Sequence, residues 1–374
     1  MAERAAGGAI RLLDGGREAY PAMLAAIASA RREIFLEVYQ FSPDGVGGDF
    51  VAALSAAARR GVRVEVIVDG FGSAPDASEV VTLLQEAGCE ARIFGRLLHV
   101  LAGRLRRNHR KILAVDGEVA FVGGINIADV YGSLHSTPDE TPWADLAVEL
   151  RGEVAAWLQQ RARHERGRSR PGPVRVWLSG IGGSRRLRRR YLKSFGFARR
   201  TLYVAQGYFL PDRRIVRSIT AAARRGVEVR LVVAGSSDVA FFPPATRRLY
   251  RRLLQAGVRV SEWSRSVLHS KAAAVDGERF LVGSFNLDPL SLANREALAE
   301  VGDRSIAASG AAWILARFEE GEEITQDTIG RSTWTERLLL DWVGGIFAAG
   351  LRRLAARASA DGRRRGGTED DGTR

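Results

Sequence analysis

The sequence predicts an α/β protein of two similar lobes, each with a mixed or parallel β-sheet flanked by helices. The main observation is an internal duplication, because residues 56–70 and 221–235 are identical at ten of fifteen positions. A second pair of similar segments, 109–126 and 269–286, follows in the same order and at nearly the same separation. Since only two copies occur, the duplication indicates two lobes rather than a solenoid.

Each copy predicts a strand, a helix and a second strand. In the first copy, strands at 32–41 and 62–68 flank a helix at 47–60. In the second copy, strands at 201–205 and 227–233 flank a helix at 212–225. Strands that alternate with helices form sheets covered by helical layers.

The later pair of similar segments predicts one hairpin in each lobe. The first hairpin joins strands 112–115 and 120–122, and its counterpart joins strands 272–275 and 280–282. An Asp-Gly pair stands at each connection, and Asp-Gly favours the tight turns of β-hairpins. These turns therefore determine where the side chains of each segment point.

Composition limits the partners and the compartment. The net charge of +13 predicts affinity for a polyanion, either nucleic acid or an anionic membrane surface. The single cysteine, Cys89, excludes an intrachain disulfide and is predicted to be a small buried thiol. No signal-peptide pattern and no run of 18 apolar residues occurs, so we expect synthesis in the cytoplasm without membrane threading.

The domain boundaries follow from shifts in composition. A charged stretch with Gly and Pro at 161–173 predicts a linker, giving a first lobe at 1–165 and a second at 166–324. Residues 325–358 predict an amphipathic helical segment, lying in a membrane interface or packed on the lobes. Residues 359–374 predict a disordered tail, and the apolar run 97–105 suggests a second membrane-facing lip.

Both hairpins carry the pattern His-x-Lys-x-x-x-x-Asp. Strand alternation places the histidine and the lysine on one face, where an imidazole and an ammonium group can hold one phosphate. A single occurrence would be read as chance, whereas two occurrences inside a duplication indicate function. The residues are His109, Lys111, Asp116, His269, Lys271 and Asp276.

Scarce residue types are concentrated in these segments. The chain has three lysines, and two of them stand in the motifs although arginine supplies nearly every other cation. A compact ammonium group is therefore required there, because a planar guanidinium group has a different geometry. All four asparagines lie in or beside the motif segments: Asn108, Asn126, Asn286 and Asn294.

The paired motifs, continued by GGIN at 123–126 and GSFN at 283–286, resemble those of the phospholipase D superfamily. The resemblance spans about residues 30–320. Within the superfamily, PWADLAV at 142–148, YFLP at 208–211 and LDPLSLANREA at 287–297 are most similar to bacterial cardiolipin synthases of the short type without N-terminal transmembrane helices. The resemblance implies two lobes packed as a pseudo-dimer around one active site.

The resemblance also implies the roles of individual residues. One imidazole forms a phosphohistidine while the other protonates the leaving alkoxide, and His109 is favoured as nucleophile and His269 as acid. The symmetry of the sequence leaves that choice open. We expect Asp116 and Asp276, as members of the catalytic motif, to cap the Asp-Gly turns. The phosphate-binding candidates are Asn126, Asn286 and Ser284, and those that orient a histidine are Asp145 and Glu296.

The predicted reaction is phosphatidyl transfer between two phosphatidylglycerol molecules, with neither a metal ion nor a cofactor. The partners are then a phospholipid and an anionic membrane surface, with nucleic acid disfavoured and the oligomeric state open. We expect peripheral attachment at the cytoplasmic face of a bacterial inner membrane. The alternatives are a hydrolytic phospholipase D, a nuclease of the superfamily, and a non-enzymatic scaffold that binds membrane or nucleic acid.

Three further features have a functional and a structural interpretation. Glu37 and Tyr39 alternate on the first strand, and the resemblance places this strand beneath the pocket, although ordinary residues at a sheet edge are the commoner case. Gln206 and Tyr208 have the same two interpretations. The basic run 185–190 is either a headgroup-binding patch or a solvated helix face.

Overall fold

The first lobe is a seven-stranded mixed sheet with helices packed against it. A computed structural model describes residues 10–43, 45–95, 107–132, 135, 141–164, 167–169, 172–240 and 242–331. The strand order is β1-β7-β6-β5-β2-β3-β4. The strands are β1 (Ile10–Asp14), β2 (Glu33–Val38), β3 (Arg63–Asp69), β4 (Glu90–Phe94), β5 (Ile112–Val115), β6 (Val119–Gly123) and β7 (Leu146–Arg151). The helices are α1 (Gly15–Ser29), α2 (Val46–Arg59), α3 (Ala77–Glu86) and α4 (Glu153–Arg161), with a short 3-10 helix at Asp129–Tyr131.

The second lobe is a nine-stranded mixed sheet with the order β16-β12-β11-β10-β13-β14-β15-β9-β8. Its strands are β8 (Gly167–Arg168), β9 (Val174–Ser179), β10 (Thr201–Gln206), β11 (Glu228–Ala234), β12 (Arg259–Trp263), β13 (Lys271–Val275), β14 (Arg279–Gly283), β15 (Glu296–Val301) and β16 (Glu322–Ile324). Its helices are α5 (Arg185–Phe197), α6 (Arg213–Arg224), α7 (Phe242–Arg247), α8 (Tyr250–Leu254), α9 (Arg304–Glu320) and α10 (Gln326–Arg331).

The duplicated segment forms equivalent elements in both lobes. Strand β2 pairs in parallel with β3 and antiparallel with β5, and β10 pairs in the same two ways with β11 and β13. Helix α6 begins where the Asp212 carboxylate accepts the backbone N–H groups of Arg214 and Ile215, which satisfies two amides that lack helical partners. It ends before Gly226, whose φ of 87° suits the left-handed turn after a helix. The predicted two-lobed α/β architecture is confirmed.

The two sheets share one apolar core. Phe35 and Ile112 from the first sheet and Val232 and Phe280 from the second belong to the same buried cluster. A face of each sheet is therefore covered by the other lobe, while α1, α2 and α3 cover the first sheet's opposite face. Because this shared core removes apolar area of both sheets from water, the lobes pack as one body.

Several sequence predictions fall at or beyond the limits of the described residues. The boundary after residue 165 lies between the last strand of the first sheet and the first strand of the second, and it stays a prediction. Most of the amphipathic segment 325–358, the tail 359–374 and the lip at 97–105 lie outside the described residues. Cys89 is buried. In the described part of the chain, no helix has the length and hydropathy needed to span a bilayer.

Candidate active site

Two short parallel bridges join the lobes beside the motif histidines. One pairs Asn108 with Arg295, and the backbone N–H of His109 donates to the Arg295 carbonyl at 2.9 Å. Its counterpart pairs Leu268 with Ala144, and the N–H of His269 donates to the Ala144 carbonyl at 2.9 Å. In each bridge the next residue is a histidine on one lobe and an acid on the other, so the bridges set both contacts between a histidine and an acid.

Each histidine is held by an acid from the opposite lobe. His109 Nδ1 lies 3.1 Å from Glu296 Oε2, and His269 Nδ1 lies 2.6 Å from Asp145 Oδ2. His109 Nδ1 is also 3.0 Å from the Ser284 carbonyl oxygen. The Ser284 carbonyl beside His109 and the Asp145 carboxylate beside His269 can only accept, so the proton of each neutral ring is on Nδ1. Nε2 is therefore the nitrogen with a free lone pair.

Aromatic rings enclose the imidazole of His269. The ring of Tyr131 packs edge-on at 5.5 Å between centroids, Tyr208 does so at 5.7 Å, and Trp143 lies at 5.7 Å. The hydroxyl of Tyr131 is also 3.3 Å from His269 Nδ1. Such rings exclude water and strengthen the electrostatic interactions inside the pocket. Tyr131 was not predicted from the sequence, where its only signal is its position shortly after the first motif.

Tyr39 has the corresponding position beside His109. Its ring meets that imidazole edge-on at 4.8 Å, and the Lys111 ammonium lies 4.9 Å from the same ring. In the other lobe the Lys271 ammonium lies 5.5 Å from the Tyr208 ring. These cation–π distances indicate that both tyrosines help to hold the lysines. Tyr39 thus lies in the pocket wall and is not an ordinary residue at a sheet edge.

The two motif lysines are buried next to the histidines. Lys111 Nζ donates to the His109 carbonyl at 2.9 Å, and Lys271 Nζ contacts both the His269 carbonyl and, at 2.9 Å, its Nδ1. Burial lowers the pKa of Lys271 to about 8, although Asp145 and Glu296 oppose the change. Burial and the charge of Lys271 lower the pKa of Lys111 well below its ordinary value. An anion placed between the lysines would raise both pKa values again.

The protonation of the histidines follows from the same surroundings. Burial and the neighbouring lysines lower the pKa of His109 well below its ordinary value. Burial and Lys271 lower the pKa of His269 to about 4, against the effect of Asp145. Burial also raises the pKa of Glu296 to about 8. Without substrate both imidazoles are therefore neutral near pH 7, as a nitrogen nucleophile must be.

The predicted phosphate-binding residues differ from one another in their contacts. Asn126 Nδ2 donates to the Tyr131 hydroxyl at 2.7 Å, and its Oδ1 accepts the Gln40 N–H at 3.2 Å. Asn286 is buried, and its Oδ1 accepts no hydrogen bond from the described residues. Asn286 Oδ1 can therefore accept from a donor group of a ligand, whereas a contact with phosphate would use its Nδ2. Asn126 is tied to the aromatic wall.

Ser284 has a different contact from the one predicted. Its hydroxyl donates to Glu296 Oε2 and accepts the Ala297 N–H at 3.0 Å. The hydroxyl proton is thus directed at the acid that orients His109, and the contact of Ser284 with phosphate stays a prediction. In the first copy the equivalent residue is Gly124, where a Cβ would overlap the Asp145 carboxylate.

The motif aspartates hold backbone at the far end of each hairpin. Asp116 accepts N–H groups from Arg31, Arg32 and Glu33 at 2.7 to 2.8 Å. Asp276 accepts the equivalent N–H groups just before and at the start of β10. Five strand residues at about 3.3 Å each put roughly 16 Å between Lys111 and Asp116. Both aspartates therefore bind backbone away from the lysines, and their place in the catalytic motif stays a prediction.

Three charged side chains are buried near the segment that carries His109. They are Glu37, Arg110 and Arg295, here called the buried ion cluster. Arg110 Nη1 lies 3.3 Å from Glu37 Oε2, and Arg295 Nη2 lies 3.0 Å from Glu37 Oε1. Glu37 is therefore an interior residue and not one at a sheet edge. Neither arginine was predicted from the sequence, although Arg110 stands between the histidine and the lysine of the motif.

The basic run 185–190 lies on α5. Arg188 pairs with Asp212 at 2.6 Å, and Arg190 pairs with Glu300 at 2.7 Å. Part of this run is therefore neutralised within the protein, while Arg185, Arg186 and Arg189 are exposed. Among the residues described, no group of three or more His, Cys, Asp or Glu side chains converges as metal ligands would.

The family described as "Cardiolipin synthase, PLD-like domain" matches residues 23–134 and 191–318, which are one segment in each lobe. The chain belongs to this phospholipase D-like family. The matched segments contain both motifs, as well as Tyr39 and Glu296. The family assignment predicted from the doubled motif is thereby confirmed.

Curated relatives in this family cover most of the chain. Cardiolipin synthase B of Escherichia coli K12 is 36% identical over 323 residues, covering 80% of this chain and 77% of that protein. Cardiolipin synthase B of Salmonella typhi is 38% identical over 327 residues, with 80% and 78% covered. A cardiolipin synthase of Geobacillus kaustophilus is 32% identical, covering 74% of this chain and 59% of that protein.

Two solved structures are similar to this chain in fold although they share little sequence identity with it. The phosphatidylserine synthase of Haemophilus influenzae superimposes with a TM-score of 0.73 at 15% identity, covering 95% of this chain and 96% of that one. A polyphosphate kinase from Porphyromonas gingivalis has a TM-score of 0.56 at 14% identity, covering 83% of this chain and 50% of that one. At these identities the likeness concerns the fold alone.

Proposed function

We propose that the chain is a phosphatidyltransferase that forms cardiolipin from two phosphatidylglycerol molecules and releases glycerol. The observation that carries the proposal is the crosswise pairing of two neutral imidazoles with two acidic side chains beside two buried lysines. This arrangement supplies a nucleophile, an acid and cations for one phosphate. The cardiolipin synthases that cover most of the chain support the choice of reaction.

In the first half-reaction, Nε2 of His109 attacks phosphorus and the bond to the glycerol oxygen breaks. His269 donates its proton to that oxygen, so glycerol leaves as a neutral alcohol. Although the pKa of His269 is about 4 in the free site, an anionic phosphate beside it favours the protonated ring. Asp145, at 2.6 Å, stabilises that imidazolium.

In the second half-reaction, His269 is neutral and acts as the base. It takes the proton of the acceptor hydroxyl while that oxygen attacks the phosphohistidine, and the bond to His109 breaks. Lys111, Lys271 and the Asn286 amide would surround the non-bridging oxygens and stabilise the charge of the pentavalent state. The aromatic rings around His269 limit the access of water, which would otherwise compete as acceptor.

Product analysis tests this function directly. Purified protein is incubated with labelled phosphatidylglycerol in mixed micelles, and the lipids and water-soluble products are resolved. Equal amounts of cardiolipin and glycerol support transfer, while phosphatidate in place of cardiolipin would indicate a hydrolytic phospholipase D. No lipid turnover together with cleavage of DNA would indicate a nuclease, and no turnover of either would indicate a scaffold.

Trapping the intermediate tests which histidine is the nucleophile. Brief incubation with phosphatidylglycerol labelled with ³²P at phosphorus, followed by an alkaline quench, is expected to label wild-type protein and His269→Ala. The same treatment should leave His109→Ala unlabelled, because that variant lacks the attacking nitrogen. The opposite pattern would exchange the two roles.

We also propose peripheral attachment to an anionic membrane surface, at the cytoplasmic face of a bacterial inner membrane. The net charge of +13 supports an anionic surface, since basic side chains near anionic lipids gain electrostatic free energy. Flotation with vesicles of phosphatidylglycerol compares the full chain with a chain truncated before Trp334. Loss of flotation on truncation supports a C-terminal attachment, and equal flotation would refute it.

A further inference from the structure

The buried ion cluster connects the segment that carries His109, just before β5, with β15, which begins at Glu296. Arg110 donates to the carbonyls of Ala162 at 3.0 Å and Ser179 at 2.9 Å. Ser179 ends β9, and its hydroxyl accepts the N–H of Glu296 at 3.1 Å. Arg110, the residue after His109, therefore contacts Ser179, which in turn binds the backbone of Glu296.

Arg295 completes the cluster from the other lobe. It immediately precedes Glu296, its carbonyl accepts the His109 N–H, and its guanidinium lies 3.0 Å from Glu37. Glu37 stands opposite Ile112 on the strand next to the His109 hairpin. The one carboxylate thus pairs with two guanidinium groups, through a hydrogen bond from Arg110 and through charge alone with Arg295. One of these groups is beside the nucleophile candidate and the other is beside its acid.

The equivalent positions around His269 are small and uncharged. Ser270 follows His269 as Arg110 follows His109, and Ala144 precedes Asp145 as Arg295 precedes Glu296. Ala205 stands opposite Ala272 in the register in which Glu37 stands opposite Ile112. The cluster is therefore present on one side of the pseudo-symmetric site and absent on the other.

Complete burial makes the cluster costly unless its members are held in place. Glu37 and Arg110 are fully buried and Arg295 is 3% exposed, so removal of one charge leaves another uncompensated in the interior. Arg110 and Arg295 belong to the backbone segments that carry His109 and Glu296. A shift of either arginine is therefore transmitted through the backbone to the imidazole or to the acid. A displacement of about 1 Å can cost a reaction about 10²-fold in rate.

We propose that the buried ion cluster is a positioning device for His109 alone. Glu37 holds Arg110 and Arg295 together across the lobe boundary and thereby keeps the His109 ring on Glu296. His269 is placed without such a device. The kinetic readouts below rest on the proposed phosphatidyl transfer, whereas the chemical-modification readout does not.

The experiment uses a substitution that separates stability from positioning. Replacement of a buried ion cluster by apolar side chains of similar volume is commonly neutral or stabilising, so Glu37→Met/Arg110→Met/Arg295→Met is expected to fold. Glu37→Asp, which keeps the charge but shortens the side chain by one methylene group, is the second variant and replaces the triple variant if that one does not fold. Ser270→Ala is the matched control at the equivalent position beside His269.

Diethyl pyrocarbonate, which acylates neutral imidazole, measures the placement of each histidine by mass spectrometry of the modified peptides. In the triple variant we expect modification of His109 to be about fivefold faster, because the ring is less firmly held, with His269 serving as the internal reference. With phosphatidylglycerol in micelles, kcat should fall by about 30-fold while KM changes less than about threefold. Ser270→Ala should match wild type in both measurements.

Wild-type kcat and equal modification of His109 in a folded triple variant would overturn the proposal. Faster modification of both histidines would also overturn it, since the cluster would then be a general support of the lobe interface. If wild type shows no lipid turnover, the proposed function fails, and the ratio of His109 to His269 modification still decides the positioning role.

Discussion

Glu296 in the second lobe lies 3.1 Å from Nδ1 of His109 in the first lobe. In the opposite sense, Asp145 in the first lobe lies 2.6 Å from Nδ1 of His269 in the second. Neither lobe contains a complete histidine and acid pair of its own. The acid determines which ring nitrogen carries the proton and stabilises the cation that forms on the ring.

Asp145→Asn is expected to lower kcat by about 10³-fold, because an amide stabilises imidazolium far less than a carboxylate does. Glu296→Gln should lower kcat less, since a neutral His109 is already the attacking species in the free site. Steady-state kinetics with phosphatidylglycerol measure both. Glu300→Gln, on the same strand as Glu296 but paired with Arg190, is the control and should remain close to wild type. Unchanged kcat in Asp145→Asn would contradict the crosswise mechanism.

Lys271→Arg should alter the alkaline side of the pH profile. The pKa of Lys271 is about 8, so a rise in pH above 8 removes the charge that attracts phosphate and lowers kcat/KM in wild type. Arginine stays charged there but fits the compact site poorly, so we expect about 10²-fold lower kcat/KM at pH 7. The decline above pH 8 should also be weaker. An identical alkaline decline in both proteins would assign it to another group.

Glu296→Gln should change how stability depends on pH. Burial raises the pKa of Glu296 from its ordinary value to about 8 in the folded protein. Between about pH 4.5 and 8 the unfolded chain releases this proton and the folded chain keeps it, so wild-type stability falls as pH rises. The variant lacks this loss and should gain on the order of 3 kcal/mol relative to wild type between pH 5 and 8. Denaturant unfolding at both pH values measures it, and a constant difference would refute the shift.

Asp116→Ala and Asp276→Ala should affect stability rather than chemistry. Each substitution leaves three backbone N–H groups without their acceptor and places alanine at a φ of 54° or 57°. We expect a loss of about 2 kcal/mol in the free energy of unfolding. At a temperature where the variants remain folded, kcat should stay within about threefold of wild type. A loss of kcat comparable to that of His109→Ala would place these aspartates in the catalytic group.

Gly124→Ser and Ser284→Gly exchange one of the residues in which the two copies differ beside the acids. A side chain at 124 would overlap the Asp145 carboxylate, so Gly124→Ser should displace it from His269 and lower kcat by about 10²-fold. Ser284→Gly removes a hydrogen bond to Glu296 but creates no overlap, so its effect should be about tenfold. Equal kcat values for the two variants would contradict this asymmetry.

The duplication allowed much of the fold to be predicted from the sequence. The helix predicted at 47–60 is observed at Val46–Arg59, and the strand predicted at 112–115 is observed at Ile112–Val115. These elements have apolar periodicity and glycine-containing turns, which are local signals. The edge pairing of β1 with β7, and the packing of α9 between the sheets, have no such signal because they depend on contacts far apart in the chain.

The candidate site was predicted as a set of residues but not as an arrangement. His109, His269 and both acids were recognisable by residue type and resemblance, whereas the lobe that supplies each acid depends on the bridges at Asn108 and Ala144. The commitment of Ser284 to Glu296 also needed coordinates. Side-chain direction in irregular segments depends on backbone that short motifs do not specify.

The exchange of acids between lobes has a consequence for tolerance to mutation. Two copies of a motif would ordinarily suggest redundancy, with one copy available when the other is damaged. Here damage to either lobe disables a histidine in the other as well, because each imidazole depends on an acid encoded in the opposite half of the chain. The ancestral repeats can therefore diverge in sequence, as Ser270 and Arg110 have done, but neither half can become dispensable.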